Sequence, residues 1–374
     1  MLQGKRALVV GVANARSIAW GIADRWRKEG AEVFVTYQNE RFRGPVEKLV
    51  RDNWGPFPTG DTPLPAAACD VTSEEEMAAL WRTLQERGFC LCSPSSTLEA
   101  DGRFKVDGGT EPAGQAARRM RRRREAGGGS EAEATPSPAA PSEWMGTGKA
   151  QPSGESASCT SRRIEPPGRT DEGGAAISPC NTKGYRSYRG RGGAARKTID
   201  VVLHSVAHAP TDAMRQGFLM GTTREAFVST HVVSAYSLVS TVRHALPFLS
   251  RGASVVALTY IGSQRAATNY NVMGPAKASL ESCARALAAE LGGNEQGPGG
   301  VRVNCLSPGP VRTMAARGIA GFDEMRREAA ERAPLGRAAE MDEIAAVATF
   351  LASPLSSAVT GQTVYVDGGF SAVV

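Results

Sequence analysis

The sequence has few histidines, and its cysteines form no cluster. Among 374 residues there are four histidines; only His204 and His208 have the H-x3-H spacing, without the glutamate of H-E-x-x-H, and none stands in a triad arrangement. Zinc-dependent and triad-type nucleophilic catalysis are therefore disfavoured, and we expect no metal. The seven cysteines are scattered along the chain, which favours free thiols in a reducing compartment over a metal-binding cluster.

The chain also lacks any apolar run of the roughly 20 residues that a membrane-spanning helix needs. Met1 precedes the first apolar run by only a few residues, so we expect neither a secretory signal nor a membrane association. A cytoplasmic protein is the expectation. A plastid or another organelle would apply instead if a targeting extension were missing from this copy.

Residues 90–197 are poor in the side chains that build a core. This stretch of 108 residues contains six Leu, Ile, Val or Phe, against 17 Gly and nine Pro. Burial of so little apolar surface cannot offset the loss of chain entropy, so the composition predicts a low-complexity, disordered insertion. Codons that are not normally translated, as in a retained intron, are an alternative origin for it.

The positive charge of the chain comes from this insertion. The insertion holds 18 of the 44 basic residues and 12 of the 38 acidic ones, which leaves 26 of each elsewhere. The remainder is formally neutral, so a nucleic-acid or targeting role would have to rest on the arginines around 118–124. Composition alone identifies no partner for such a run, and we expect no nucleic-acid binding.

Outside the insertion, short apolar runs alternate with helical patterns. The expected strands are residues 6–10, 32–36, 66–69, 199–204, 253–258, 301–306 and 363–366. Such alternation predicts an α/β protein with a Rossmann-like, doubly wound parallel sheet. We expect a single domain, residues 1–89 and 198–374. The insertion follows a helix that begins near Ser73, so it should leave the sheet at the edge opposite the ligands.

The first strand leads into a glycine turn and a helix. Arg6–Val10 is a short apolar run, Gly11 ends it, and Ser17 stands at the position of an N-cap before a helical pattern. The amides at the start of such a helix suit a pyrophosphate, and a glycine lets the backbone approach it. The spacing differs from G-x-G-x-x-G, so the turn alone is a weak dinucleotide signal.

Two tyrosines and a lysine follow a later strand. Tyr260 precedes Tyr270 by ten residues, and Tyr270 precedes Lys277 by seven. On a helix, a separation of seven residues is about two turns and would place Tyr270 and Lys277 on one face. A phenol can donate a hydrogen bond to an oxygen that gains negative charge, and an ammonium can bind cofactor hydroxyls.

With these motifs the chain resembles the short-chain dehydrogenase/reductase superfamily and, within it, the enoyl-acyl-carrier-protein reductases of type II fatty-acid synthesis. Ordinary members place the tyrosine four residues before the lysine, whereas these reductases use Y-x6-K with a tyrosine ten residues upstream, as here. Further matching stretches are Gly11 to Gly21, T-Y-Q-N-E at 36–40, C-D-V at 69–71, H-S-V-A-H-A-P at 204–210, S-P-G-P-V-R-T at 307–313 and V-D-G-G-F at 366–370.

The resemblance implies a set of site residues. Tyr260, Tyr270 and Lys277 would be catalytic, with Lys277 also on the nicotinamide ribose. The other cofactor contacts would be Gly11, Ser17, Ile18, Gln38, Asp70, Val71, Ser205, Val206, Ala207, Val311 and Thr313. Residues 314–332 would form a mobile cover over the acyl chain, although an ordinary irregular connection would read the same way.

Cofactor choice should depend on the residues after the second strand. Gln38 can bond a ribose hydroxyl without carrying a full charge, and T-Y-Q-N-E resembles the form found in NADH-using enoyl reductases. Arg41 and Arg43 follow closely, which keeps NADPH as an alternative. At Ala207 the family often has glycine, so the backbone approach there could differ.

The resemblance implies NADH-dependent reduction of a trans-2-enoyl thioester linked to acyl carrier protein, by a homotetramer. Two other classes stay open. One is a different short-chain reductase that acts on coenzyme A esters or ketones. The other is an inactive binding protein with a basic arm, which the presence of both Tyr270 and Lys277 disfavours.

Overall fold

A seven-stranded parallel sheet forms the centre of the protein. The computed structural model describes residues 1–55, 64–90, 96–98, 104–106, 198–293, 298–313, 316 and 321–373, which all belong to one unit formed by residues 1–107 and 182–374. The described strands are β1 Arg6–Val10, β2 Glu32–Tyr37, β3 Ala66–Ala68, β4 Ser96–Leu98, β5 Phe104–Val106, β6 Ile199–His204, β7 Leu249–Leu258, β8 Arg302–Pro308 and β9 Thr363–Val366.

The sheet has the strand order β3-β2-β1-β6-β7-β8-β9, and every neighbouring pair in it is parallel. The seven strands expected from the sequence are all present, with ends that differ by up to four residues. The Rossmann-like, doubly wound fold is therefore confirmed. The order reverses between β1 and β6, and a crevice at the carboxyl ends of such strands is where ligands bind in open α/β sheets.

Ten α-helices accompany these strands in the described part of the chain. They are α1 Ile18–Lys28, α2 Glu40–Trp54, α3 Glu74–Glu86, α4 Thr211–Arg215, α5 Gly217–Gly221, α6 Arg224–His231, α7 Ser237–Ala245, α8 Met273–Gly292, α9 Phe322–Arg332 and α10 Met341–Ala352. A π-helical stretch, Val232–Tyr236, joins α6 to α7. None of the described helices is long and apolar enough to cross a membrane.

The core lies on both faces of the sheet, as the uninterrupted apolar character of β1 predicts. Ala7 and Val9 point into one buried cluster, and Leu8 and Val10 point into the other. Helices α1 and α10 cover the first face, where Trp26 is fully buried. Helices α3, α7 and α8 cover the second face and bury apolar side chains that include Met77, Leu238 and Leu280.

The insertion enters and leaves the domain between α3 and β6. The Ser73 hydroxyl accepts a hydrogen bond from the Glu76 amide at the start of α3 (3.1 Å), as expected for the cap of that helix. Cys90 is fully buried beside Phe89 in the core, and Thr198 directly precedes the amino end of β6. The two attachment points therefore belong to a helix-to-strand connection.

The expected disorder of the insertion concerns residues that mostly lie outside the described part. Strands β4 and β5 pair antiparallel, from Ser96 opposite Val106 to Leu98 opposite Phe104. The composition did not predict this pairing, because the scarcity of apolar residues argues against a core but not against local hydrogen bonds between backbone segments.

Gly11 ends β1 where the strand order reverses. Its φ is +102°, and a Cβ there would lie 2.3 Å from the carbonyl oxygen of Ser205, which follows β6. An L-residue is strained at this φ, and the contact is far shorter than any Cβ contact tolerates. The close approach of these two strand ends therefore requires glycine.

We expect Gly11→Ala to lower the free energy of unfolding by on the order of 1–3 kcal/mol, through backbone strain and the clash with Ser205. Gly44→Ala is the matched control. Gly44 lies within α2, and a Cβ there meets no atom within 4 Å, so alanine should be neutral or stabilising by up to about 1 kcal/mol. Urea unfolding measures both, and equal midpoints for Gly11→Ala and the wild type would contradict the strain argument.

Candidate active site

A cavity of about 670 Å³ lies beyond the carboxyl edge of the sheet. The residues that directly follow β1, β2, β3, β6, β7 and β8 all contribute to its walls, from Gly11 after the first of them to Gly309 after the last. All the predicted site residues line it: Gly11, Ser17, Ile18, Gln38, Asp70, Val71, Ser205, Val206, Ala207, Tyr260, Tyr270, Lys277, Val311 and Thr313. The structure thus brings together residues from six separate strand ends.

Ser17 occupies the N-cap position of α1, as expected, but its side chain does not cap the helix. The hydroxyl donates a 2.6 Å hydrogen bond to the Asn14 carbonyl oxygen instead. This bond closes the turn after Gly11 and leaves the first amides of α1 without a side-chain cap. Amides of this kind, at the positive end of a helix dipole, suit an anionic ligand.

Tyr270 does not lie on the helix that carries Lys277, so the helical reasoning from their spacing is wrong. Helix α8 begins at Met273, and Tyr270 lies in the turn before it, between Asn269 (φ 59°) and Asn271 (φ 40°). Asparagine tolerates this left-handed backbone. The Asn271 amide group also donates to the carbonyl oxygens of Ala213 and Met214 (3.2 and 3.0 Å).

The two tyrosines pack against each other in the cavity. Their ring centroids are 4.8 Å apart with the planes inclined by 59°. A Cβ on Gly262 would come within 2.4 Å of the Tyr270 ring, and a Cβ on Gly274 would come within 2.9 Å of the Gly262 carbonyl oxygen. Glycine at both positions therefore allows Tyr270 to lie between the segment after β7 and the start of α8.

The electrostatics of the site follow from burial. Burial raises the pKa of Tyr260 to about 12 and that of Tyr270 further still, so both phenols stay protonated and able to donate at neutral pH. Lys277 is 4% exposed, and its ammonium donates a 2.8 Å hydrogen bond to the Leu258 carbonyl oxygen. Burial lowers the pKa of Lys277 to about 8, against the opposing effects of Cys305 and Glu281.

Gln38 and Asp70 lie at the end of the cavity near β2 and β3. The Gln38 amide is 3.5 Å from the Asp70 carboxylate, and Asp70 also accepts from the Thr72 backbone amide and hydroxyl (2.9 and 2.7 Å). Asp70 is therefore both a turn residue and part of the cavity wall.

The two arginines after β2 differ in their surroundings. Arg41 lines the cavity. The Arg43 guanidinium instead lies 3.3 Å from Glu40 and 3.0 Å from Glu47, on the exposed side of α2. Both arginines made NADPH an alternative cofactor, but of the two it is Arg41 that could contact a ligand in the cavity.

The opposite end of the cavity is apolar. It is formed by side chains that the motifs did not identify, chiefly Met214, Met273, Phe322 and Met325, and the Tyr260 hydroxyl lies 3.6 Å from the Met325 sulfur. Part of the expected cover, residues 314–315 and 317–320, lies outside the described residues, and residues 322–332 form the regular helix α9.

Glu281 is a polar residue near the site that the sequence motifs also did not identify. Glu281 is 4% exposed and accepts from the hydroxyls of Thr259 and Ser263. The sequence offered only a weak indication of it, because Glu281 follows Lys277 by four residues and so lies one turn further along α8.

Within the described residues, no group of three or more His, Cys, Asp or Glu side chains is arranged to hold a metal ion.

Comparison with known proteins identifies the family. The sequence model of the family described as enoyl-(acyl carrier protein) reductase matches residues 11–89 and 189–371. A Bacillus subtilis relative named enoyl-[acyl-carrier-protein] reductase [NADH] FabI is 36% identical over 372 residues, which cover 99% of this chain and 96% of that protein. A Staphylococcus aureus relative named as the NADPH enzyme is 44% identical over 175 residues, 47% of this chain and 66% of the relative.

A solved structure agrees with these sequence matches. The Bacillus cereus enoyl-acyl carrier protein reductase, crystallised with NADP+ and indole naphthyridinone, superposes with a TM-score of 0.65 at 28% identity and covers 100% of this chain and 98% of that one. Because the family model matches well over half of the sequence, and a relative above 30% identity spans nearly all of it, this chain belongs to the enoyl-acyl-carrier-protein reductase family.

Proposed function

We propose that this protein is an NADH-dependent enoyl-[acyl-carrier-protein] reductase, which converts trans-2-enoyl thioesters to saturated acyl thioesters in fatty-acid elongation. The observation that carries the proposal is the meeting of Tyr260, Tyr270 and Lys277 in one cavity at the carboxyl edge of the sheet. This cavity has a polar end near Gln38 and Asp70 and an apolar end near Met325, as a dinucleotide and an acyl chain would require.

The residues present fit a dinucleotide. The cradle at Gly11 has no room for a Cβ, the first amides of α1 lack a side-chain cap, and Gln38 and Asp70 present polar groups beyond the ends of β2 and β3. We propose that the remaining predicted contacts, Ile18, Val71, Ser205, Val206, Ala207, Val311 and Thr313, complete this binding surface.

In the proposed reaction, Tyr270 stabilises the charge that develops on the substrate. When bound, the nicotinamide would supply hydride to the β-carbon of the enoyl thioester, and the resulting enolate would take up a proton from water at the α-carbon to give the saturated thioester. Tyr270, protonated because burial raises its pKa, donates a hydrogen bond to the thioester oxygen as this oxygen gains enolate charge. Lys277 binds the ribose hydroxyls with donors other than the one used on Leu258, and Tyr260 borders the acyl site beside Met325.

An assay with crotonyl thioester and NADH separates the candidate functions. We expect the purified protein to oxidise NADH with a trans-2-enoyl thioester and to be nearly inactive with a 3-oxoacyl thioester. The opposite preference would identify a ketone reductase, comparison of acyl-carrier-protein with coenzyme A thioesters would identify the carrier, and inactivity with all of them would favour a binding protein.

We propose further that the enzyme is a homotetramer in a reducing compartment such as the cytoplasm, with residues 90–197 as an insertion into one catalytic domain. The free thiols of Cys69, Cys283 and Cys305 support a reducing compartment. The attachment of the insertion before the amino end of β6 supports its independence from the site, which lies at the carboxyl edge.

Removal of residues 91–196 should therefore preserve activity. Both cut points lie in the connection between α3 and β6, before the amino end of β6, whereas the cavity lies at the carboxyl end of that strand. Closing such a connection costs little free energy. We expect kcat/KM of the shortened protein to stay within about tenfold of the wild type, which corresponds to roughly 1.4 kcal/mol of barrier. A folded shortened protein with a greater loss would show that the insertion takes part in the reaction.

Tyr270→Phe and Lys277→Ala should separate the roles of the two residues. Loss of the phenol removes one donor to a developing oxyanion, so we expect kcat to fall on the order of 10²-fold with little change in NADH affinity. Loss of the ammonium should weaken NADH binding instead. Steady-state kinetics measures kcat, and fluorescence titration measures the affinity for NADH. Equal effects of both variants on NADH binding would contradict these separate roles of Tyr270 and Lys277.

Preference for NADH over NADPH should depend on Gln38. This residue offers a neutral hydrogen bond where a 2′-phosphate needs cationic partners, so we expect Gln38→Arg to narrow or reverse the preference in kcat/KM. Arg41→Ala should weaken any residual use of NADPH, whereas Arg43→Ala, the matched control, should not, because Glu40 and Glu47 already hold that guanidinium. If the wild-type enzyme prefers NADPH, Arg41 rather than Gln38 would determine the choice of cofactor.

A further inference from the structure

Glu281 is a buried carboxylate that the proposed reaction does not use. It lies on α8, 4% exposed, and one of its oxygens accepts from both the Thr259 hydroxyl (2.7 Å) and the Ser263 hydroxyl (2.5 Å). Two donors on a single oxygen suit an ionised carboxylate, which only accepts. These two donors bracket the short segment after β7 that carries Tyr260.

The segment that Glu281 holds also supports Tyr270. A Cβ on Gly262 would lie 2.4 Å from the Tyr270 ring, so ring and backbone are in direct contact. The ring of Tyr260 lies against that of Tyr270 as well. A shift of residues 259–263 relative to α8 would therefore displace both tyrosines together.

Glu281 also acts on Lys277, which precedes it by four residues on α8. Among the described residues, the other titratable groups that act on the ammonium are Cys305 of β8 and His204 of β6. Glu281 also faces Tyr365 of β9. Burial raises the pKa of Cys305 to about 12 and lowers that of His204 to about 3, so both are neutral near pH 7. The charge that opposes the desolvation of the ammonium is then that of Glu281.

We propose that Glu281 is a positioning residue of the reductase site: its carboxylate fastens the Thr259–Ser263 segment to α8 and holds Lys277 in its charged form. The inference rests on the proposed function, because it assigns the charged form of Lys277 to the binding of NADH. Burial lowers the pKa of Lys277 to about 8, and removing the negative charge of Glu281 lowers it further, so Lys277 would lose its proton at a lower pH.

Glu281→Gln tests the charge while keeping an oxygen acceptor for the two hydroxyls. The readout is the NADH dissociation constant, measured by fluorescence without enoyl substrate across the range in which Lys277 titrates. At acidic pH we expect the variant to bind NADH within about threefold of the wild type, and the loss of affinity with rising pH to begin about one pH unit lower. Glu290→Gln, an exposed charge change on the same helix, should leave the profile unchanged.

Ser263→Ala tests the attachment while keeping the charge. It removes one of the two donors to Glu281, so we expect kcat to fall severalfold while the pH dependence of NADH binding stays at its wild-type position. If Glu281→Gln does not fold, this variant still tests the attachment of the Thr259–Ser263 segment to α8.

Three results would count against these ideas in distinguishable ways. A Glu281→Gln protein with the wild-type pH profile, or one with a uniform loss at every pH, would overturn the role in holding the charge of Lys277. Unchanged kcat in Ser263→Ala would overturn the role in fastening the segment. A wild-type protein that binds no NADH at any pH would instead refute the proposed function.

Discussion

The burial of the Lys277 ammonium is the constraint on which the rest of the site depends. A buried cation needs hydrogen-bond acceptors and a compensating charge, or its cost in free energy is several kcal/mol. The Leu258 carbonyl oxygen, at the end of β7, supplies one acceptor, and Glu281 supplies the charge. Helix α8 must therefore lie close against the carboxyl end of β7, and this contact joins the central sheet to the helix that carries Lys277.

Two glycines make that close contact sterically feasible. Gly274 at the start of α8 lies against the Gly262 carbonyl oxygen, and Gly262 lies against the ring of Tyr270. The phenol is consequently packed between the segment after β7 and the turn before α8, where burial keeps it protonated. The same packing that buries the lysine thus also sets the chemical state of the tyrosine that would stabilise an enolate.

Much of the fold was predictable from the sequence because its strands are buried on both faces. In β1, Ala7 and Val9 enter one core cluster and Leu8 and Val10 the other, so the run is apolar throughout and its limits are clear. The position of Tyr270 was not predictable by spacing, because the left-handed backbone at Asn269 and Asn271 delays α8 until Met273. Local turn chemistry overrode the helical period there.

The polar and apolar ends of the site differed in how far the sequence revealed them. Gly11, Ser205 and Gln38 follow strands, and strand ends can be read from the pattern. Arg41 and Arg43 look equivalent in sequence, and only the ion pairs of Arg43 with Glu40 and Glu47 separate them. The apolar end was not predicted, because Met214 and Met325 come from separate helices, and the spacing of an apolar residue in an amphipathic helix does not distinguish a cavity wall from a core.

The topology places the cavity and the connection between α3 and β6 at opposite edges of the sheet. The connections that follow β1, β2, β3, β6, β7 and β8 all contribute to the cavity at the carboxyl edge, where Gly11 leaves no room for a Cβ and Lys277 is almost fully buried. The connection from α3 to β6 runs to the other edge, where Cys90 and Thr198 mark the attachment points. The length of this returning connection is limited chiefly by loop-closure entropy, which grows slowly with length, so many residues can be added there without moving the strand ends that form the cavity.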